Sequence, residues 1–163
     1  MNPNTPRHAL KGGAADQDAE IMDEAFRDTR AVVMGRRILG ESPWGDEPPF
    51  HAPVFVVTHE ARETLDKQGG TSFTFVTEGI ESALAQARAA AGGGDVSVAG
   101  GANVVQQCLA AGHLDEVQVH IVPLLIGGGL RLFERLDGDP IELERIRVVD
   151  SPAVTHLKFR VAP

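Results

Sequence analysis

Cysteine, tyrosine and tryptophan are nearly missing from this 163-residue chain, which carries one Cys, one Trp, no Tyr and only 5% aromatic residues. The lone Cys108 excludes an internal disulfide framework and a Cys-rich zinc site, and a reducing compartment is the simplest setting. Basic charge is scarce as well. Fifteen Lys and Arg stand against 23 Asp and Glu, a formal net charge of −8, and no basic run exceeds Arg36-Arg37. Nucleic acids and anionic membranes are held chiefly by clustered cations, so neither is an expected partner. No apolar stretch approaches the ~20 residues of a membrane helix. The opening MNPNTPRHALKGG lacks the apolar centre of a signal peptide, and a cytoplasmic location is expected.

What is present is an ordinary globular composition, 42% hydrophobic and 23% charged, enough for one core. Residues 1–15 are polar, rich in Gly and Pro and without period, which predicts a poorly ordered arm followed by a single domain over residues 16–163. Ile21, Met22, Ala25 and Phe26 recur at helical spacing behind Asp16, Asp18 and Glu20, acids that the helix dipole favours at that end. Unbroken apolar runs at Ala31-Val32-Val33-Met34 and Val54-Phe55-Val56-Val57 suit strands buried on both faces. Phe73-Thr74-Phe75-Val76 leads to a helix with Ile80, Leu84, Ala87 and Ala91 on one face, which Gly92-Gly93-Gly94 stops. Val96-Ser97-Val98-Ala99 then runs into Gly100-Gly101 and a helix carrying Val104, Val105, Cys108 and Leu109. This order predicts an α/β domain with a mostly parallel sheet flanked by helices. After Gly112 the texture alternates: Val117, Val119 and Ile121 interleave with Gln118 and His120, and Leu157, Phe159 and Val161 oppose His156, Lys158 and Arg160. Antiparallel strands are therefore expected at the C-terminal side, near 117–121, 141–149 and 155–161.

Three strand ends carry groups suited to anions. Gly100-Gly101 at a helix start lets a phosphate approach the backbone, where the first turn's N–H groups are unsatisfied. It is neither the six-residue dinucleotide fingerprint nor a P-loop, and any tight strand-to-helix turn uses glycine too. Gly35-Arg36-Arg37 ends another strand with two guanidinium forks, alternatively an exposed basic pair. Thr58-His59-Glu60-Ala61-Arg62 ends a third with a hydroxyl, an imidazole and a guanidinium, although Thr58 alone also suits a turn cap.

In order, VVMGRR, VFVVTHE, FVTEGIESALAQA, VSVAGGANVVQQCLAAG and LDEVQVHIVPLLIGGGLRLF resemble the dihydrofolate reductase superfamily. The likeness is greatest to its bacterial branch, which contains the reductase domain of the riboflavin-pathway deaminase/reductase. It runs from about Ala31 to the C-terminus. The resemblance implies a dihydrofolate reductase-like fold and NADPH as cofactor, with Gly35, Arg36 and Arg37 at its phosphates and Thr58 and His59 at the adenosine 2′-phosphate. It further implies Thr77 beside the adenine and Gly100, Gly101, Ala102, Asn103 and Val104 around the pyrophosphate. Ile38 stands where many relatives have Thr.

The implied function is hydride transfer from NADPH to a small heterocyclic, pterin- or pyrimidine-like, or carbonyl substrate, by a homodimer such as relatives in this branch form. Residues 1–15 contain no apolar run, and Pro3, Pro6, Gly12 and Gly13 oppose a central strand, so the chain reads as the family without its first strand. The alternative function is therefore a catalytically silent nucleotide-binding or assembly protein on the same scaffold.

No catalytic residue is assigned. Asp16, Asp18, Glu20, Asp23 and Glu24 lie where dihydrofolate reductases carry a substrate-binding carboxylate, and equally where a solvated acidic face belongs. Trp44 is read either as lining a substrate pocket or as plugging the core edge. His120 reads as a sheet residue, and His51 and His156 have no partner at metal-ligand spacing, so no metal is expected. Gly127-Gly128-Gly129 reads as a connection between strands, and no Ser lies in a nucleophile-elbow sequence.

Overall fold

The computed structural model describes residues 15–40, 44–45, 48, 50–134, 136 and 138–162. The expected arm and missing first strand fall on residues outside this set, apart from Ala15. Two compact units emerge. Among the described residues, one falls within 24–111 and 130–136, the other within 15–23, 112–129 and 138–162.

The larger unit holds a five-stranded sheet in the order β3-β4-β2-β1-β5. Its strands are β1 (Thr29–Gly35), β2 (Val54–Val57), β3 (Leu65–Asp66), β4 (Ser72–Val76) and β5 (Asp95–Val98). β1, β2, β4 and β5 run parallel, with Gly35 opposite Val57 and Val57 opposite Val76. The short antiparallel β3, hydrogen-bonded to β4 at the edge, has no alternating signal in the sequence. The apolar runs mark strands buried on both faces, as expected: Ala31, Val32, Val33 and Met34 have no accessible surface.

Val32, Met34, Val54, Val56, Phe73 and Leu39 form one core cluster, with Trp44 and Phe50 packed on it. Alternation turns Val33 and Phe55 to the opposite face. There helix α3 (Ile80–Ala91) packs on β1 and β2 and buries Ala83, Leu84 and Ala87. α3 ends at Gly92 in the left-handed conformation, φ 59°, which a residue without Cβ adopts freely. The first helix, α1 (Ala15–Asp28), hands directly into β1. At that junction the Thr29 hydroxyl donates to the Ala25 carbonyl at 2.7 Å and lies 2.5 Å from the Ser97 hydroxyl of β5.

The second unit holds a three-stranded antiparallel sheet in the order β6-β8-β7, formed by β6 (Glu116–Ile121), β7 (Leu143–Asp150) and β8 (Thr155–Val161). The alternation places these strands within two residues of their observed bounds. They form a sheet of their own among the described residues, where the sequence suggested one side of a common sheet.

Candidate functional site

Parallel strands bring their carboxyl ends to one edge, and three such ends of the larger unit turn into glycine-rich or hydroxyl-bearing segments. The closest convergence is at β1 and β5. Gly35 donates its N–H to the Gly100 carbonyl at 2.9 Å, which joins the two turns. A Cβ on Gly35 would stand 3.1 Å from Val104 Cγ2 and 3.8 Å from the Gly101 nitrogen. Any preference for glycine at position 35 comes from this close approach, since its φ of −84° suits any residue.

Gly100, with φ 103°, is required for its backbone angle, and the Gly100–Gly101 peptide is cis. Helix α4 (Ala102–Ala110) starts at Gly101, whose carbonyl accepts from the Val104 and Val105 nitrogens at 2.9 and 3.2 Å. The N–H groups of Gly101, Ala102 and Asn103 precede the first intrahelical bond and have no acceptor in the helix. Over the glycine pair lies Ile38 Cδ1, 3.8 and 3.6 Å from where side chains on Gly100 and Gly101 would begin. The space above the start of α4 is therefore one that a Cβ would fill.

Arg36 opens a four-residue helix, α2 (Arg36–Leu39), directly after the end of β1. One guanidinium nitrogen, Nη1, donates to the Gly40 carbonyl, and the remaining N–H donors of the fork face other directions. Arg37 is exposed. On the next strand Thr58 is buried, receives the Glu60 N–H on its hydroxyl at 3.1 Å and donates its own N–H to Val76 at 3.0 Å. It does cap its turn, and its hydroxyl hydrogen remains to be donated. His59 is exposed.

Arg62, considered as an anion donor, is instead bound to Glu60 at 2.9 Å and lies over the Phe75 ring at 5.9 Å. Glu60 is held below the ordinary carboxylate range by the Arg62 hydrogen bond, then by the Arg62 charge and more weakly by that of Arg36. Thr77 lies in the turn three residues before α3. Asn103 accepts from Gln107 Nε2 at 2.8 Å. Along the edge the order is Thr77, Thr58, Gly35 with Arg36, then Gly100 with Gly101, spanning about 14 Å at the usual strand spacing.

Among the remaining candidates, Trp44 packs against Phe50 and Phe73, with ring centroids at 5.8 and 6.3 Å, and so plugs the core edge. Cys108 is buried, and burial pushes its thiol up to about 11, which rules out a thiolate nucleophile near neutrality. The side chain of Asp16 lies outside the described residues. Glu20 and Asp23 are exposed, whereas Asp18 binds His156. His156 thus has a partner that spacing along the chain does not reveal, because it lies on a distant element, α1.

This edge belongs to an α/β protein of dihydrofolate reductase-like fold, with glycine-rich turns at the ends of its parallel strands. The fold is shared with a dihydrofolate reductase from Enterococcus faecalis solved with NADP(H), which is 17% identical with a TM-score of 0.63 over 91% of this chain and 83% of the other. The chain belongs to the RibD C-terminal domain family, whose model matches residues 4–155. A Shewanella sp. PV-4 protein described as a riboflavin biosynthesis protein superposes with a TM-score of 0.68 at 21% identity, over all of this chain and 84% of its own. A pyrimidine reductase-like protein from Corynebacterium diphtheriae gives 0.63 at 14% identity, over all of this chain and 86% of its own. No curated protein matches.

Proposed function

We propose that the chain is a reductase that uses NADPH to reduce a small heterocycle, pterin- or pyrimidine-like, or a small carbonyl compound. The observation that carries this reading is the joined pair of turns at Gly35 and Gly100-Gly101, where the N–H groups opening α4 have no acceptor in the helix, flanked by Arg36 and Arg37. The N–H groups of residues 101–103 suit a pyrophosphate, because they present unsatisfied donors at the positive end of a helix. Arg36 and Arg37, with Thr58 and His59 on the adjacent strand end, suit the extra phosphate that distinguishes NADPH from NADH. Thr77 closes the adenine side. Family membership supports the same cofactor, and the names of the Shewanella and Corynebacterium proteins support a riboflavin-precursor or pyrimidine type of substrate. NADPH supplies the hydride when bound; the protein's part is to hold and orient it.

Calorimetric titration of the folded protein with NADPH and NADH tests the reading. The expected result is binding of NADPH, with Arg36→Ala weakening it about tenfold or more through loss of a charge-assisted contact of ~1.5–3 kcal/mol, and NADH affected less. Failure of folded protein to bind NADPH at millimolar concentration overturns it. Turnover across a panel of pterins, aminopyrimidines, flavins, quinones and reductone-type carbonyls then identifies the substrate class.

A further inference from the structure

Two histidines and a carboxylate that the cofactor reading does not use meet in the unit of the three-stranded sheet. His120 of β6 and His156 of β8 are direct cross-strand partners. Their Nδ1 atoms stand 2.6 Å apart, with the rings edge to face at 4.8 Å. The other nitrogen of His156, Nε2, lies 3.0 Å from Asp18 Oδ1 on α1. His156 is only 5% exposed, while His120 reaches solvent.

Proton arithmetic restricts this row. An ionised carboxylate only accepts, so Nε2 of His156 carries a hydrogen. The facing Nδ1 atoms hold one hydrogen and one lone pair between them. With both rings neutral the hydrogen is therefore on Nδ1 of His120, and His120 keeps a bare Nε2. One added proton goes to that Nε2 and both bonds survive. A second puts hydrogens on both facing nitrogens, and the bond between the rings is lost.

We infer that Asp18, His156 and His120 form a proton-operated latch that holds residues 15–23 of α1 to the three-stranded sheet, closed with at most one extra proton and released by the second. The neighbouring charges on this face leave the arithmetic in control. Glu116 of β6 is paired with Lys158 of β8 at 2.6 Å, and Arg160 of β8 with Glu144 of β7 at 3.1 Å. Val149 of β7 stands opposite His156 and Arg147 opposite Lys158. Ser151 also bonds Asp18, and Asp150 is engaged by the Thr155 hydroxyl at 2.8 Å.

Burial and then the neighbouring His156 hold His120 below the ordinary histidine value of 6.5. Hydrogen bonds from His156 and Ser151 hold Asp18 below the ordinary 3.8. Both shifts have the same sign. A depressed histidine contributes stability that is in place above 6.5 and is lost as the pH falls below it. The depressed carboxylate contributes stability that is lost only further down, below 3.8. The closed row has room for one extra proton, whereas two separated rings have room for one each, so opening in acid absorbs at least one proton.

The experiment is amide hydrogen exchange of residues 19–23 in the full chain across the acid range, expressed as protection factors, alongside ¹⁵N spectra of the imidazoles. Wild-type protection is expected to fall about tenfold or more per pH unit below the ordinary histidine pKa, with His120 protonated on Nδ1 and bare on Nε2 near neutrality. In His120→Gln the slope disappears, because the amide bonds His156 in either protonation state. Equal slopes in the two proteins, no slope in the wild type, or His120 carrying its hydrogen on Nε2 near neutrality would each overturn the latch. Should the variant fail to fold, the wild-type slope and tautomer decide alone.

Discussion

At the scale of single residues, the site depends on which glycines are needed for space and which for backbone angle. Gly35 has an ordinary extended backbone, so only the 3.1 Å approach of Val104 Cγ2 keeps a Cβ out. Alanine at this position must push the first turn of α4 away. Gly35→Ala is expected to cost about 1–2 kcal/mol in urea unfolding, the usual penalty of overpacking, and to weaken NADPH binding in the same preparation. Unchanged stability would mean that Val104 swings aside freely and that the contact does not position α4.

The sequence made these glycines readable as a phosphate approach. It did not show that Gly35 and Gly100 bind each other, because residues 65 apart meet only through the parallel pairing of β1 and β5. The Asp18–His156–His120 row was hidden for the same reason. Its members lie on α1, β8 and β6, and nothing in their spacing along the chain links them.

Among elements, legibility followed burial. β1 and β2 contain unbroken apolar runs, and a strand covered on both faces reads that way. α3 and α4 were legible from periodic apolar positions and flanking glycines. The two-residue β3 and the four-residue α2 were not, because segments so short have no period and arise from what surrounds them. The α1–β1–β5 junction was equally unreadable. There the Thr29 hydroxyl, buried, spends its hydrogen bonds on Ala25 and Ser97.

Thr29→Val keeps the shape and removes the hydroxyl, leaving Ser97 short of a partner. The expected loss is about 1–3 kcal/mol by chemical denaturation. Adding Ser97→Ala is expected to recover part of it, since both polar groups are then gone and the cycle reports their coupling. A double variant whose loss equals the sum of the two single losses would deny that the contact joins the helix–strand junction to β5.

For the whole molecule, charge and surface pull in opposite directions. No helix among the described residues is long and apolar enough to cross a membrane, yet the end of β6 and the segment after it expose large apolar side chains in succession. Ile121 is 52% exposed, Leu125 100% and Ile126 81%, with Val122 and Leu124 between them also exposed. A monomer rarely presents so continuous an apolar run to water. A second copy offers the same run in return, as a two-fold interface requires. The net charge of −8 opposes that pairing, but at physiological ionic strength it is screened beyond about 8 Å, whereas apolar burial is not weakened by salt. We therefore expect a homodimer that tightens as salt is raised. Light scattering at micromolar concentration checks it: twice the 17.4 kDa chain mass is expected, shifting to the single-chain mass in Leu125→Asp, which places a charge where the apolar run is most exposed. A wild-type mass of one chain at every concentration and salt tested would refute the dimer, and a dimer untouched by Leu125→Asp would move the interface elsewhere on the surface.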